Sequence, residues 1–176
     1  MQIDINRLSK EYAKKNILVI GDIILDAYIY GKVDRISQEA PVPIVAIDQK
    51  KFKPGGAANV ALNLSGLGAN VQLLGITGGG RNAEELQNCF QKSENIQLHL
   101  VKDKSRPTIV KTRIIADGKQ VVRLDEETTS KISSLLIEEL IKAFNKSCKD
   151  LDGIIIEDYN KGALPKEIIS HIINYS

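Results

Sequence analysis

The chain is poor in the residues that build disulfide frameworks and metal centres. Its 176 residues include two cysteines, two histidines and no tryptophan. Cys89 and Cys148 have neither the spacing of metal ligands nor enough partners for a disulfide framework, so both are expected to be free thiols. His99 and His171 are equally isolated, and we assign them no catalytic or metal-binding role.

Long apolar runs and an excess of one charge are also absent. The apolar stretches at residues 17–20 and 154–156 are too short to cross a bilayer, and the N-terminus lacks the apolar core of a signal peptide. The 24 basic and 22 acidic side chains leave a formal net charge of +2, without the clustered positive field that duplex binding requires. We therefore expect a cytoplasmic protein with no membrane or nucleic-acid partner.

Three apolar runs predict buried strands of a parallel sheet. Their residues do not alternate with polar ones, which is typical of strands that helices cover on both faces. Because ligands of such open sheets bind beyond the carboxyl ends of the strands, the segments that follow these strands should meet at one rim. The strands are expected at residues 17–20, 71–76 and 151–156, and the rim segments at Gly21, Asp22, residues 75–80 and residues 157–162.

Helical spacing of apolar residues predicts the elements between the strands. A first helix carries Ile5, Leu8 and Tyr12 on one face, and a later one begins with a capping box of Asn82 and Glu85. The remaining helices are expected over residues 57–67, ended by Gly68, over residues 134–144, and after Pro165.

Two segments, near residues 28–53 and 107–125, predict a small β layer that projects from this α/β body as a lid. Pro41 and Pro43 disfavour a central strand position for the first segment. In the second, Asp117 and Gly118 can take the positive φ angles of a tight turn, which predicts an antiparallel hairpin.

The strongest local feature is Pro54-Gly55-Gly56-Ala57-Ala58-Asn59. Gly55 and Gly56 lack a Cβ, so the backbone can approach a ligand closely, and the start of the following helix offers N–H donors. Asn59 adds one donor group and one acceptor suited to sugar hydroxyls. Taken alone, the pattern fits a simple turn into a helix with Asn59 on the surface equally well.

Further residues make the pattern specific. Residues 55–61, followed by Leu67-Gly68-Ala69 and Gly75, resemble the first signature of the PfkB, or ribokinase-type, sugar kinases. The resemblance implies a ribokinase-like three-layer α/β fold with a parallel sheet and a β lid, in which Gly55, Gly56 and Asn59 bind sugar hydroxyls. Residues 19–26 resemble the family's first strand and turn, which makes Asp26 a further sugar contact.

Three stretches narrow the resemblance to the heptose-phosphate kinases. They are residues 35–43, the set Lys111-Thr112-Arg113 with Gln120, Arg123, Leu124 and Asp125, and the turn over residues 157–162. Gln38 stands where a proline is expected, and Asn160 stands where an alanine is expected. The likeness covers nearly all of residues 16–170, so residues 1–176 are interpreted as part of a kinase domain.

The basic residues suit a sugar that already carries a phosphate. Arg113, Arg123 and Lys111 are candidates for the phosphate, because arginine in particular binds it in a bidentate manner. Alternating charges on a hairpin are also typical of a solvated face. Lys161 is a candidate for nucleotide or substrate phosphate, with Asp158 orienting it or a sugar hydroxyl. The glycines at positions 78–80 suit either an anion-binding turn or a flexible one.

The resembled kinases carry a later Gly-Ala-Gly-Asp segment that supplies the base, and residues 1–176 contain none. We therefore expect no catalytic or metal-binding residue here, no tight binding of ATP and Mg²⁺ by this chain alone, and a C-terminally shortened protein. The resemblance implies transfer of the ATP γ-phosphate to the anomeric hydroxyl of D-glycero-D-manno-heptose 7-phosphate, towards ADP-heptose and lipopolysaccharide, in a homodimer formed through the lid. Another sugar phosphate, a nucleoside acceptor and a non-catalytic sugar-binding or dimerisation module remain alternatives.

Overall fold

The computed structural model describes residues 5–175, which form five helices and eight strands. The helices are α1 (Ile5–Tyr12), α2 (Ala57–Gly66), α3 (Arg81–Asn88), α4 (Ser134–Ser147) and α5 (Lys166–Tyr175). The strands are β1 (Asn16–Gly21), β2 (Ile23–Ile36), β3 (Pro43–Gly56), β4 (Asn70–Thr77), β5 (Ile96–Lys102), β6 (Ile109–Ala116), β7 (Lys119–Glu126) and β8 (Gly153–Glu157). Among these helices none is long and apolar enough to cross a membrane.

The central sheet is parallel and has the strand order β5-β4-β1-β8. Its middle strand β1 is buried on both faces, and Leu18, Val19 and Ile20 are fully inaccessible to solvent. Leu18 and Ile20 pack with Phe144 of α4 and with residues of α5, whereas Val19 packs with residues of α2 and α3. The sheet therefore lies between two helical layers, and the predicted α/β fold is confirmed.

A second sheet, which we call the outer sheet, has the strand order β3-β2-β6-β7. Strands β2 and β6 run parallel, and each also forms an antiparallel pair with the edge strand beside it. Asp117 and Gly118 adopt φ angles of 50° and 77°, which confirms the predicted hairpin. Strands β2 and β3 each contain 14 residues, so they are longer than the pieces expected from the sequence.

Three features of the local structure differ from the sequence-based expectations or complete them. The capping box was wrong, because Gly80 caps α3 with a φ of 77° and Asn82 already lies inside the helix. Strand β5 was not predicted, although Ile96, Leu98 and Leu100 alternate with polar residues as in a half-buried strand. The helix over residues 5–12 is confirmed, but the side chains of Ile5 and Leu8 lie outside what the structure describes.

Candidate functional site

Asp22 joins the segments that meet at the rim of the central sheet. Its backbone N–H donates to the carbonyl of Glu157 at 3.0 Å, and its own carbonyl accepts from the N–H of Ala57 at 3.0 Å. Its carboxylate Oδ2 accepts from the N–H groups of Tyr159 and Lys161 at 2.8 and 3.1 Å. One residue thus fixes the end of β1, the start of α2 and the turn after β8, as the predicted rim requires.

The Asp22 side chain is also electrostatically unusual. It is fully buried, and its second oxygen, Oδ1, has no hydrogen-bond partner within residues 5–175. Burial raises the pKa of this carboxyl, while the N–H groups of Lys161, Tyr159 and Ala163 oppose the rise. The sequence placed Asp22 at the rim but assigned it no role.

Asp26 and Arg113 form an ion pair on one face of the outer sheet. Asp26 lies on β2 and Arg113 on the neighbouring strand β6, where Arg113 is paired in register with Tyr28. The guanidinium Nη1 donates to Asp26 Oδ1 at 2.5 Å, and the guanidinium carbon lies 5.3 Å from the centre of the Tyr28 ring. The Asp26 and Arg113 side chains are 21% and 24% exposed, so a ligand can still reach the pair.

Both glycines lie too close to neighbouring atoms to carry a side chain. A Cβ built on Gly55 would lie 2.5 Å from Asp26 Oδ2. Gly56 has a φ of 54° and caps α2, and a side chain there would collide with the carbonyl of Asp22. Asn59 lies in the first turn of α2 with its side chain exposed, so its amide is available to a ligand.

The predicted cations Lys111, Arg123 and Lys161 belong to one network of ion pairs around two carboxylates. The Lys111 ammonium lies 2.9 Å from Asp125 and 3.3 Å from Glu127. The second oxygen of Asp125 accepts from Arg123 Nε at 2.8 Å, and that of Glu127 lies 2.7 Å from the Lys161 ammonium. Lys111 and Lys161 respectively hold the pKa values of Asp125 and Glu127 below their ordinary values.

Glu127 is the member of this network that the sequence did not identify. It connects Lys111 of the outer sheet with Lys161 of the turn after β8. The expected partner of Lys161, Asp158, instead accepts from the N–H of Asn160 at 2.8 Å. Asp158 lines a cavity of about 570 Å³ on the side of Lys131 and Leu164. Asp158 therefore does not hold the Lys161 ammonium.

The structure explains Asn160 and bears on the glycine turn at residues 78–80. Asn160 stands in place of an alanine at a φ of 57°, a conformation that asparagine tolerates better than other residues with a side chain. The N–H of Gly78 donates to Thr108 Oγ1 at 3.0 Å, so this amide is not free to bind an anion.

The arrangement is suited to a polyhydroxylated, anionic ligand. A partly exposed carboxylate, a backbone without side chains and an exposed amide can bind hydroxyl groups, and nearby lysines and arginines can bind phosphate. Across the part of the chain that the structure describes, no three histidine, cysteine, aspartate or glutamate side chains converge as metal ligands.

The sequence relatives are carbohydrate kinases and bifunctional bacterial proteins. Residues 14–171 match the family described as pfkB family carbohydrate kinase. The chain is 40% identical over 163 residues to the Bifunctional protein HldE of a Nitratiruptor species, covering 93% of this chain and 35% of that protein. It is 43% identical over 154 residues to the HldE of Coxiella burnetii, which covers 87% of this chain and 32% of that protein. The chain thus spans about a third of the length of these relatives.

Solved structures share the fold. A carbohydrate kinase from Agrobacterium tumefaciens superposes with a TM-score of 0.61 at 22% identity, over 90% of this chain and 48% of that one. Phosphofructokinase-2 from Escherichia coli, solved with substrates and products, gives a TM-score of 0.68 at 16% identity. The superposition covers 92% of this chain and 50% of that one. The fold is therefore ribokinase-like. Since the family match covers most of the residues that build both sheets, the chain belongs to the pfkB family of carbohydrate kinases.

Proposed function

We propose that this chain binds the acceptor sugar of a kinase that phosphorylates D-glycero-D-manno-heptose 7-phosphate at its anomeric hydroxyl. The observation that carries the proposal is the Asp26 carboxylate, which lies against Gly55 and is paired with Arg113. The similarity to proteins named HldE supports a heptose phosphate as the acceptor.

Asp26 and Asn59 are proposed to bind sugar hydroxyls. The Asp26 carboxylate accepts hydrogen bonds, and the Asn59 amide can both donate and accept them. Gly55 and Gly56 leave the approach to Asp26 open, because neither carries a side chain that would fill it. Arg113 orients the Asp26 carboxylate through the ion pair between them.

The network around Glu127 is proposed to connect this site with the phosphates of the reaction. Lys161 is held by Glu127 on the turn after β8, beside the rim where ligands of open α/β sheets bind. A bound phosphate would replace part of the carboxylate contact of Lys161 or Lys111. Asp158, which lines the cavity beside the same turn, is proposed to bind a ligand hydroxyl.

The proposed phosphate donor is ATP with Mg²⁺. Such transfer needs a nucleotide cradle, metal ions and a group that orients or deprotonates the attacking hydroxyl. The residues described above account for the acceptor side. We propose that the 176-residue chain alone binds sugar without transferring phosphate, and turnover of heptose 7-phosphate by that chain would contradict this.

Acceptor profiling of the full-length gene product tests the proposed function. ADP formation is measured with heptose 7-phosphate, fructose 6-phosphate, ribose and a nucleoside at equal concentrations. Preference for heptose 7-phosphate supports the proposal, whereas preference for another acceptor reassigns the substrate within the family. Sugar binding with no ADP formation from any acceptor supports the alternative of a non-catalytic module.

We further propose that the protein acts in the cytoplasm, where ATP is available, as a homodimer formed through the outer sheet. Both edges of that sheet, β3 and β7, are open within the described chain. Exposed strand edges next to apolar side chains are suited to association.

A further inference from the structure

The outer sheet carries two lysines that the ion-pair network does not use. Lys53 and Lys51 lie on β3, paired in register with Asp26 and Tyr28 of β2. Directly opposed residues of an antiparallel pair point to the same face, so both lysines share the face of Asp26 and Arg113. The Lys53 ammonium lies 5.6 Å from the centre of the Tyr28 ring, and the Lys51 ammonium lies 5.5 Å from that of Tyr30.

The charges on this face are unequally compensated. The cations Arg113, Lys111, Arg123 and Lys161 share the three carboxylates of Asp26, Asp125 and Glu127. Within residues 5–175, neither Lys51 nor Lys53 forms an ion pair with a carboxylate of a described residue, and each is held instead above a tyrosine ring. Their positive charge is therefore available to an anion.

The spacing along the sheet places this charge away from the hydroxyl-binding residues. Lys53 is paired in register with Asp26, but its ammonium lies over the ring of Tyr28. Tyr28 is two residues further along β2 than Asp26. Two residues of a strand span about 7 Å, which is comparable to a sugar ring with its exocyclic arm. The Arg113 guanidinium also lies over the Tyr28 ring, but it is paired with Asp26. Lys53 is therefore the cation that extends from Asp26 towards Tyr28 without a carboxylate partner among the described residues.

We propose that Lys53 binds the phosphate on the far end of the acceptor sugar, and that Lys51 strengthens the positive field beside it. The inference rests on the proposed function, because it takes the sugar hydroxyls to lie at Asp26. It assigns recognition of the acceptor's own phosphate to a lysine on β3 rather than to Arg123 or Lys111, which already form ion pairs with Asp125 and Glu127.

Binding of two matched ligands to the full-length gene product tests this assignment. Calorimetric titration compares heptose 7-phosphate with the neutral heptose for the wild type and for Lys53→Met, Lys51→Met and Lys53→Arg. Lys50→Met is the matched control, because Lys50 is exposed on the same strand and points to the opposite face. Affinity for the neutral heptose shows in each case that the variant is folded.

We expect Lys53→Met to weaken binding of the phosphorylated sugar about tenfold, as loss of a charged hydrogen bond does, and to leave binding of the neutral sugar unchanged. Lys51→Met should have a smaller effect, while Lys53→Arg and Lys50→Met should retain the wild-type preference. If Lys53→Met still prefers the phosphorylated sugar, or if the wild type has no such preference, the assignment of Lys53 is wrong. If the wild type binds neither ligand, the proposed function itself fails, and the inference with it.

Discussion

The Asp26 carboxylate lies against the backbone of Gly55, so closely that a Cβ on Gly55 would come within 2.5 Å of Asp26 Oδ2. Real Cβ atoms do not approach an oxygen this closely, so either the carboxylate or the strand would have to move. Since Asp26 Oδ1 is held by Arg113, movement of the carboxylate would also disturb the ion pair. The glycine thus determines the position of the side chain proposed to bind sugar.

Gly55→Ala should therefore weaken sugar binding at least tenfold, which is about 1.4 kcal/mol. The control is Gly66→Ala, because a Cβ on Gly66 meets no atom within 4 Å and Gly66 is the last residue of α2. The control should leave sugar binding unchanged and stabilise the protein by about 0.5 kcal/mol or more. Titration with heptose 7-phosphate and thermal unfolding measure the two effects. Equal sugar affinities in both variants would contradict the importance of the Gly55 contact.

Asp26→Asn and Asn59→Ala should impair use of the sugar more than binding of nucleotide. Each change removes a directional hydrogen-bond partner, for which a loss of about 1–3 kcal/mol is expected when the bond is buried or charged. Asp26→Asn should have the larger effect, because it also leaves Arg113 without its carboxylate. Steady-state kinetics with each substrate varied in turn measure the difference.

The control for these two variants is Asp34→Asn, which changes an exposed residue of the same strand β2. Its kinetic constants should equal those of the wild type. Unchanged sugar kinetics in both Asp26→Asn and Asn59→Ala would show that neither residue binds the sugar. Their roles would then be structural, in strand β2 and in helix α2.

How much the sequence could predict depended on how local each feature is. Unalternated apolar runs identified β1, β4 and β8, and Asp117-Gly118 identified the hairpin, because each pattern lies within a few residues. Contacts between distant segments were not visible. Glu127 meets Lys161 across 34 positions, and Lys53 became notable only when the register beside Asp26 was known. Resemblance supplied Asp26 and Gly55, but not the contact between them.

Asp22 predicts a pH dependence of stability with a definite sign. Burial raises the pKa of this carboxyl above its unfolded value near 3.8, so the folded protein binds the proton more tightly than the unfolded chain. The stabilisation is fully present below the unfolded pKa and is lost as the pH rises through the folded pKa. Asp22→Asn removes this titration but keeps an oxygen that can accept from Tyr159 and Lys161.

The free energy of unfolding of Asp22→Asn, relative to the wild type, should therefore increase as the pH rises above the unfolded pKa near 3.8. The change amounts to about 1.4 kcal/mol for each pH unit between the two pKa values. Urea denaturation of both proteins at several pH values measures it, with Asp34→Asn as the exposed control. Parallel stability curves for the wild type and Asp22→Asn would show that the Asp22 pKa is not raised by folding.

The proposed homodimer depends on apolar side chains of the outer sheet. Val121, Val122 and Leu124 on the edge strand β7 are 46%, 42% and 52% exposed, and Val42 before β3 is 51% exposed. Ile109 of the same sheet is only 8% exposed, so it is not available to a partner. It is buried within its own chain at the start of β6, which leaves β7 and the segment before β3 as the candidate contact.

Light scattering of the full-length gene product should give twice the monomer mass, and Leu124→Glu should shift it towards the monomer. Burying a leucine side chain contributes about 1.5–3 kcal/mol, so introducing a charge there should raise the dimer dissociation constant by at least tenfold. Leu135→Glu is the control, because Leu135 is 64% exposed on α4 and outside the outer sheet. A dimer that survives Leu124→Glu but dissociates with Leu135→Glu would place the contact on the helical layer. A wild type that is monomeric and fully active would refute dimerisation as a requirement for sugar binding.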